Sequence, residues 1–187
     1  MAGNQVNLLL IISIALLTMA PILHQANAAV DVANKWCRRT THSATCLSIV
    51  EADRRAHLKH SPNGIATILT DKALATAAAI SIKIAKLLET ATNRHEVAAL
   101  KSCFAGYSGA ITSLRSAYFK VINRQTYSSL VADISDANDE PRDCELTFQE
   151  PPAVRSPITA ENERLRDICD TTLEIINLVV CKSSSFC

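Results

Sequence analysis

The periodicity of residues 97–121 most constrains how this chain can fold. Apolar side chains recur there at alternating steps of three and four residues, which places them on one face of a long helix. The members of this stripe are Val97, Leu100, Phe104, Tyr107, Ile111, Leu114, Tyr118 and Val121. A stripe of this length has to be covered by other helices, so the pattern predicts a bundle helix that packs along its whole length.

Composition and the other apolar patterns also favour helices. The chain holds only four glycines in 187 residues, whereas a sheet-rich fold needs many turns. Short helical stretches surround Cys37 and Cys46, and longer helical patterns start near Ile65, Thr126 and Thr159. Short loops between long helices make neighbours antiparallel. The sequence therefore predicts an all-α fold, an up-and-down four-helix bundle with an N-terminal helical hairpin extension.

Three places interrupt the helical patterns. The run from Ser61 to Gly64 contains Pro62 and is interpreted as a break before the long helix. Pro141 predicts a helix end or kink near residue 140, with helical structure resuming by Cys144. Residues 150–157 are rich in proline and predict an extended linker, after which Thr159 is placed to cap the last helix.

The first 28 residues have the pattern of a cleaved secretion signal. They contain no Lys, Arg, Asp or Glu, and residues 8–19 are almost continuously apolar. Ala26-Asn27-Ala28 supplies the small-x-small pattern of a cleavage site. The apolar run falls short of the roughly 20 residues that a membrane span needs. We expect a signal peptide over 1–28, a helical domain over 29–181, a polar tail over 182–187, and no membrane association after cleavage.

Seven cysteines in a secreted chain indicate disulfides. An odd count leaves at least one thiol unpaired or bonded to another molecule. The chain has no Cys-x-x-Cys or His-x-x-x-His pair, so neither a metal nor a cofactor is expected. Cys169 lies on an apolar stripe and is expected to be a small buried side chain, while Cys181 and Cys187 could pair with each other or with another molecule.

The formal charge argues against a nucleic-acid partner. At pH 7 the net charge is +1, and nucleic acid requires a basic patch. An enzyme is the next class to consider, but the sequence contains no Gly-x-Ser-x-Gly elbow, phosphate-binding loop or metal motif. Secreted plant carriers of lipids form a third class, whose adjacent Cys-Cys pair is missing here.

The cysteine frame resembles that of the plant pectin methylesterase inhibitor and invertase inhibitor family. Cys144-Glu145 followed by Phe148 is similar to the family's Cys-Glu-x-x-Phe element, and Ser156-Pro157-Ile158-Thr159 is similar to the start of its C-terminal helix. The resemblance covers nearly the whole of residues 29–187. It implies two disulfides, Cys37–Cys46 within the N-terminal hairpin and Cys103–Cys144 between bundle helices.

The resemblance also implies a function, which is to bind an enzyme and not to catalyse a reaction. Invertase inhibitors of the family insert a Pro-Lys-Phe motif from the loop before the second-bridge helix, whereas this loop, residues 123–128, contains no such motif. The expected partner is therefore a pectin methylesterase, with acid invertase as the alternative. We expect a secreted, monomeric inhibitor of the apoplast and cell wall that blocks the enzyme's cleft in a one-to-one complex.

The resemblance implies that the contact surface is formed by exposed sides of the second and third helical segments. The candidate contact residues are Lys86, Glu89, Thr90, Asn93, Lys101 and Ser102, with Arg115 and Lys120 as outer candidates. Methylesterase inhibitors often present acidic and polar side chains beside the mid-helix cysteine, where this chain has Phe104, Ala105 and Gly106. A family member that has lost inhibition and acts as a binding or structural secreted protein is therefore the further alternative.

Overall fold

The computed structural model describes residues 32–125 and 127–183, and every regular element in these ranges is helical. Within the described residues, α1 covers 32–37. The remaining elements are α2 (Ser43–Ala52), a 3₁₀ turn (Ala56–His60), α3 (Pro62–Thr90), α4 (Arg94–Ile122), α5 (Tyr127–Gln149) and α6 (Thr159–Ser183). Helices α3 to α6 each pack on the next, and α3 also packs on α6, which closes a four-helix bundle. The predicted fold class is confirmed.

The N-terminal hairpin is held together by a disulfide and fixed to the last helix by polar contacts. Cys37 and Cys46 join α1 to α2 with their Cα atoms 5.4 Å apart. Between the two helices, the backbone N–H and hydroxyl of Thr41 donate to the Glu174 carboxylate at 2.7 and 2.6 Å. Nδ1 of the neighbouring His42 lies 3.4 Å from the carboxylate of Asp167. The hairpin is therefore attached to α6 at its connecting turn.

Helix α3 begins earlier than the sequence pattern suggested, because the predicted break is the start of the helix. Ser61 is its N-cap, and the Ser61 hydroxyl accepts a hydrogen bond from the N–H of Gly64 at 3.1 Å. Pro62 occupies the first helical position, where a missing N–H costs nothing. By length and composition α3 could cross a membrane, but half of its most apolar window is buried within the bundle, as expected for a core helix.

The buried stripe of α4 differs from the predicted one. Phe104 is exposed, and Ile111 and Tyr118 are only half-buried. The side chains that are buried instead are Ala99, Leu100, Cys103, Tyr107, Ala110, Leu114, Ala117 and Val121. From Leu100 onward they follow a regular alternation of three and four residues in which small side chains alternate with large ones, so the neighbouring helices can approach closely.

The predicted helix end at residue 140 is wrong. Helix α5 continues through Pro141, which is buried in the same stripe as Cys144. A proline inside a helix costs about 3 kcal/mol, and tertiary contacts can exceed such a preference. Here α5 is fixed to α4 on both sides of the proline. Before it, Asp133 pairs with Lys120 at 2.7 Å, and after it Cys144 is bonded to Cys103.

The last helix buries the apolar stripe on which the sequence places Cys169, except at the stripe's C-terminal end. Leu165, Ile168, Cys169, Thr172 and Ile176 are buried, and Val179 is half-buried. The helix extends through residue 183, two residues into the predicted tail, while residues 184–187 and the predicted signal peptide lie outside the described ranges.

Candidate protein-binding surface

The carboxylate of Glu145 fixes the α5–α6 connection. Its Oε1 accepts hydrogen bonds from Asn162 Nδ2 at 2.5 Å and from the Ser156 hydroxyl at 2.8 Å. Its Oε2 accepts from the Thr159 hydroxyl at 2.9 Å. Thr159 therefore does not cap α6 as predicted, because it is the first helical residue and its hydroxyl points to α5. The glutamate beside Cys144 thus holds the start of α6 against α5.

The same network reaches α4 through a buried tyrosine. The Tyr107 hydroxyl donates to Asn162 Oδ1 at 2.5 Å, and both residues are buried. Burial raises the pKa of Tyr107 far above its usual value, so this hydroxyl remains a donor. On the other side of α6, Lys83 of α3 donates to Glu161 at 2.6 Å. Helices α3, α4 and α5 are therefore all bonded to the first turn of α6.

The six candidate contact residues are all exposed and lie at one end of the bundle. Lys86, Glu89 and Thr90 belong to the last turns of α3, Asn93 to the connecting turn, and Lys101 and Ser102 to the first half of α4. Two of the six already have local roles. The Asn93 side chain caps α4 by accepting from the N–H groups of residues 95 and 96, and the Thr90 hydroxyl donates to the carbonyl of residue 87.

Only one of the two outer candidates is accessible. Arg115 is exposed, and its side chain has no hydrogen-bond or ion-pair partner among the described residues. Lys120, by contrast, is 20 % exposed, pairs with Asp133 and donates to the carbonyl of Ser129 at 3.2 Å. Lys120 is therefore a link between α4 and α5, and its assignment as an outer contact residue stays a prediction.

A shallow cleft adjoins Ser102. It has a volume of about 240 Å³ and separates the first half of α4 from the α5–α6 connection. Its lining includes His95, Ala98, Ser102, Thr147, Glu150 and Pro152. The cleft therefore adds polar groups from α5 and the connection to the candidate end of α4.

Small residues of α4 make room for a carboxylate from α5. A Cβ atom at Gly106 would collide with Oε2 of Glu140, and one at Gly109 would lie 3.9 Å from its Oε1. Burial raises the pKa of Glu140, and the nearby charges of Asp143 and Asp139 raise it further. The acidic groups that α4 lacks beside Cys103 are thus supplied by the neighbouring helix.

The structure also shows exposed apolar side chains that the sequence pattern did not identify. On α4 these are Phe104 at 39 %, Phe119 at 58 % and Ile122 at 49 % exposure, and on α3 Ile82 is 59 % exposed. The exposure of Phe119 and Ile122 could be predicted from the sequence, because neither residue lies on the predicted core stripe. The exposure of Phe104 could not, because the same stripe includes it.

Three cysteines lie outside the two disulfides, and the structure places the side chain of one of them. Cys169 is a buried free thiol, and desolvation raises its pKa to about 12, so it is unreactive in the folded protein. The side chains of Cys181 and Cys187 lie outside the described residues, and their pairing stays a prediction.

Comparisons with known proteins agree with this architecture. The family profile for "Plant invertase/pectin methylesterase inhibitor" matches residues 31–175. A pectinesterase inhibitor from Actinidia deliciosa is 30 % identical over 172 residues, covering 92 % of this chain and 90 % of its own. Two crystal structures share the fold. One is a mutant form of a pectin methylesterase inhibitor from Arabidopsis (TM-score 0.63, 20 % identity, 76 % of this chain and 93 % of that chain). The other is a pectin methylesterase inhibitor from Arabidopsis thaliana (TM-score 0.58, 19 % identity, 78 % and 94 %). The profile match spans most of the chain, and the chain therefore belongs to the plant invertase/pectin methylesterase inhibitor family.

Proposed function

We propose that this protein inhibits a plant pectin methylesterase by forming a one-to-one complex that covers the enzyme's substrate cleft. The observation that carries the choice of target is the α4–α5 loop. Residues 123–128 contain no Pro-Lys-Phe, the motif by which invertase inhibitors of the family enter their target. The Actinidia relative is also named a pectinesterase inhibitor.

The arrangement of charge supports contact through the exposed sides of α3 and α4. The exposed positions of α5 include Asp136, Asp139, Arg142 and Asp143, whereas those of α4 are mostly small or apolar. Interface cores are depleted of charged side chains and enriched in aromatic ones. The candidate residues Lys86, Glu89, Lys101 and Ser102 are exposed, and their side chains have no partner among the described residues.

The mixing experiment tests the target directly. Purified residues 29–187 are combined at mildly acidic pH with a plant pectin methylesterase and, separately, with an acid invertase. Size-exclusion chromatography and residual enzyme activity are measured on the same samples. We expect a one-to-one complex and loss of activity with the esterase only. Inhibition of the invertase alone would replace the proposed target, and a complex without loss of activity would show a binding protein that does not inhibit.

A charge-reversal pair locates the surface. Lys86→Glu combined with Lys101→Glu is expected to weaken the esterase complex, because both ammonium groups are exposed on the proposed side. Arg166→Glu on α6 is the matched control, since Arg166 is also exposed and without a partner among the described residues. Equal binding by both proteins would exclude the α3–α4 end as the contact surface.

We also propose that the protein is secreted to the apoplast or cell wall and is monomeric there. The predicted leader and the two disulfides support an oxidising extracellular compartment. N-terminal sequencing of protein recovered from the extracellular fluid should start near Ala29. Retention inside the cell with an intact N-terminus would contradict this assignment.

A further inference from the structure

We infer that one exposed row of α4 anchors the target enzyme, and that the enzyme surface opposite this row is apolar and acidic. The row, called here the α4 stripe, consists of Phe104, Ser108, Arg115, Phe119 and Ile122. This inference rests on the proposed function and names the side chains and the partner chemistry that the contact surface would use.

The α4 stripe holds most of the large hydrophobic side chains that are exposed among the described residues. Spacings of four, seven, four and three residues place its five members along one side of the helix. Three of the five large hydrophobic side chains that are exposed among the described residues belong to it. At roughly 200 Å² per phenylalanine, its two phenylalanines alone leave about 200 Å² in water. Exposed phenylalanines on one side of a helix offer anchors for a partner, because interface cores are enriched in aromatic side chains.

The charges that α4 and the residue after Asn123 place on or next to the α4 stripe are positive. Arg115 lies in its middle, Lys101 comes one turn before Phe104, and Arg124 follows Ile122. The single acidic residue of α4, Glu96, is half-buried in the first turn. A partner that covers these residues must therefore offer carboxylates around its apolar pockets, because an unpaired guanidinium that is buried in a contact is costly.

The length of the α4 stripe is close to the diameter of one standard protein–protein interface. Phe104 and Ile122 are 18 positions apart, which corresponds to about 27 Å along a helix. A standard interface of about 800 Å² per partner is roughly 30 Å across. Because Lys101 lies three residues before Phe104, on the same side of the helix, the α4 stripe continues from this candidate residue.

The helix that carries the α4 stripe is rigid on its buried side. Cys103 is bonded to α5 and the Tyr107 hydroxyl is bonded to Asn162 of α6. Binding therefore requires little ordering of the backbone, which favours tight contact through a few large side chains.

Alanine variants test the α4 stripe against a matched control on another helix. Dissociation constants for the esterase are measured for the wild-type protein, Phe104→Ala, Phe119→Ala and Leu146→Ala. Leu146 is 50 % exposed on α5 and controls for the loss of exposed apolar surface. We expect each phenylalanine variant to bind at least about 10-fold more weakly, and Leu146→Ala to stay within about 2-fold. Because all three side chains are exposed, thermal unfolding should change little.

Charge is tested by the salt dependence of the association rate. Arg115→Glu should slow association and reverse or abolish its decrease with salt, whereas Arg166→Glu should leave both unchanged. A wild-type protein that binds the esterase while its Phe104, Phe119 and Arg115 variants bind equally well would overturn this inference and leave the proposed function intact. A wild-type protein that binds no esterase would overturn both.

A second copy of the chain could cover the α4 stripe in place of the enzyme, and this alternative is tested separately. Sedimentation of the wild-type protein alone is expected to show a monomer. A dimer that Phe119→Ala dissociates would show that the α4 stripe is a contact between copies, and would overturn its assignment to the enzyme.

Discussion

The same substitution at two helical glycines should change stability in opposite directions. Gly64 lies in the first turn of α3 and Gly109 in the middle of α4, and neither has a positive φ. Alanine at Gly109 would place its Cβ 3.9 Å from the nearest side-chain atom, which is ordinary contact. Alanine at Gly64 would overlap the carbonyl oxygen of Leu58 and lie 2.7 Å from its carbonyl carbon. Both neighbouring atoms of Leu58 belong to the backbone.

The magnitudes follow from helix propensity and packing. Gly109→Ala should stabilise the fold by about 1 kcal/mol, because glycine in a helix interior costs that much relative to alanine. Gly64→Ala gains less free energy from helix propensity, because Gly64 lies in the first turn of the helix. The added Cβ must also displace the 3₁₀ turn, and overpacking of this kind costs about 1–3 kcal/mol or more. For a chain of this size, 1 kcal/mol shifts the melting temperature by about 2–4 °C. We therefore expect a rise of about 2–4 °C for Gly109→Ala and a fall of about 2–12 °C for Gly64→Ala.

Thermal unfolding followed by circular dichroism measures both variants in one experiment. Urea unfolding with unchanged slopes would show that the shifts come from stability and not from a change in the unfolded state. If Gly64→Ala leaves the melting temperature unchanged or raises it, the close approach of Gly64 to Leu58 is not present in the protein. If Gly109→Ala destabilises, residue 109 is not in an open helix interior.

Three further predictions concern a disulfide and two polar contacts. Replacing Cys103 and Cys144 by serine should lower the free energy of unfolding by about 4 kcal/mol through chain entropy, because the disulfide closes a loop with a sequence separation of 41. Equal unfolding midpoints with and without the disulfide would contradict this. Tyr107→Phe should lower the free energy of unfolding in urea by about 1–3 kcal/mol, because it leaves the buried amide oxygen of Asn162 without a donor. An unchanged free energy of unfolding would show that the hydrogen bond is not formed. Arg55 donates to Asp53 at 2.6 Å and lowers the pKa of that carboxyl. The pair therefore stabilises the fold above the ordinary carboxyl value of 3.8 and loses this effect as the pH falls through the lower, folded value. Asp53→Asn should accordingly destabilise at pH 6 and progressively less below about pH 4, and a stability difference that does not depend on pH would refute the assignment.

The sequence predicted the helices well because their periodicity is local, but it selected the wrong members of the α4 core. Phe104 has the size and hydrophobicity of a core residue, and it lies next to Cys103 in the chain. The core uses Cys103 instead, together with Ala110 and Ala117, because close neighbours favour small side chains at those positions. Which of two adjacent stripes is buried depends on the distance to other helices, and that distance is not encoded in the helix itself.

The continuity of α5 and the network around Glu145 depend on contacts between distant parts of the chain. Pro141 is a strong local signal for a helix end, and the disulfide and ion pair that keep α5 on α4 come from another helix. Glu145 is visible as part of a motif, but its partner Asn162 belongs to the next helix and gives no local signal. Lys120 is a third example. From the sequence of α4 alone, a lysine on an outer face is predicted to be solvated, and only the packing of α5 places Asp133 beside it.

The many attachments of α6 have a consequence for how this fold can diversify. Side chains of α6 bond to the hairpin turn, to α3, to α4 and to α5, through residues that include Glu161, Asn162, Asp170 and Glu174. A change at any of these positions removes a link between α6 and another element, and at Asn162 it removes links to both α4 and α5. Among the residues that the structure describes, the side chains of the α4 stripe bond to no other element. Single substitutions can therefore change this outer surface of α4 while the rest of the scaffold stays as it is.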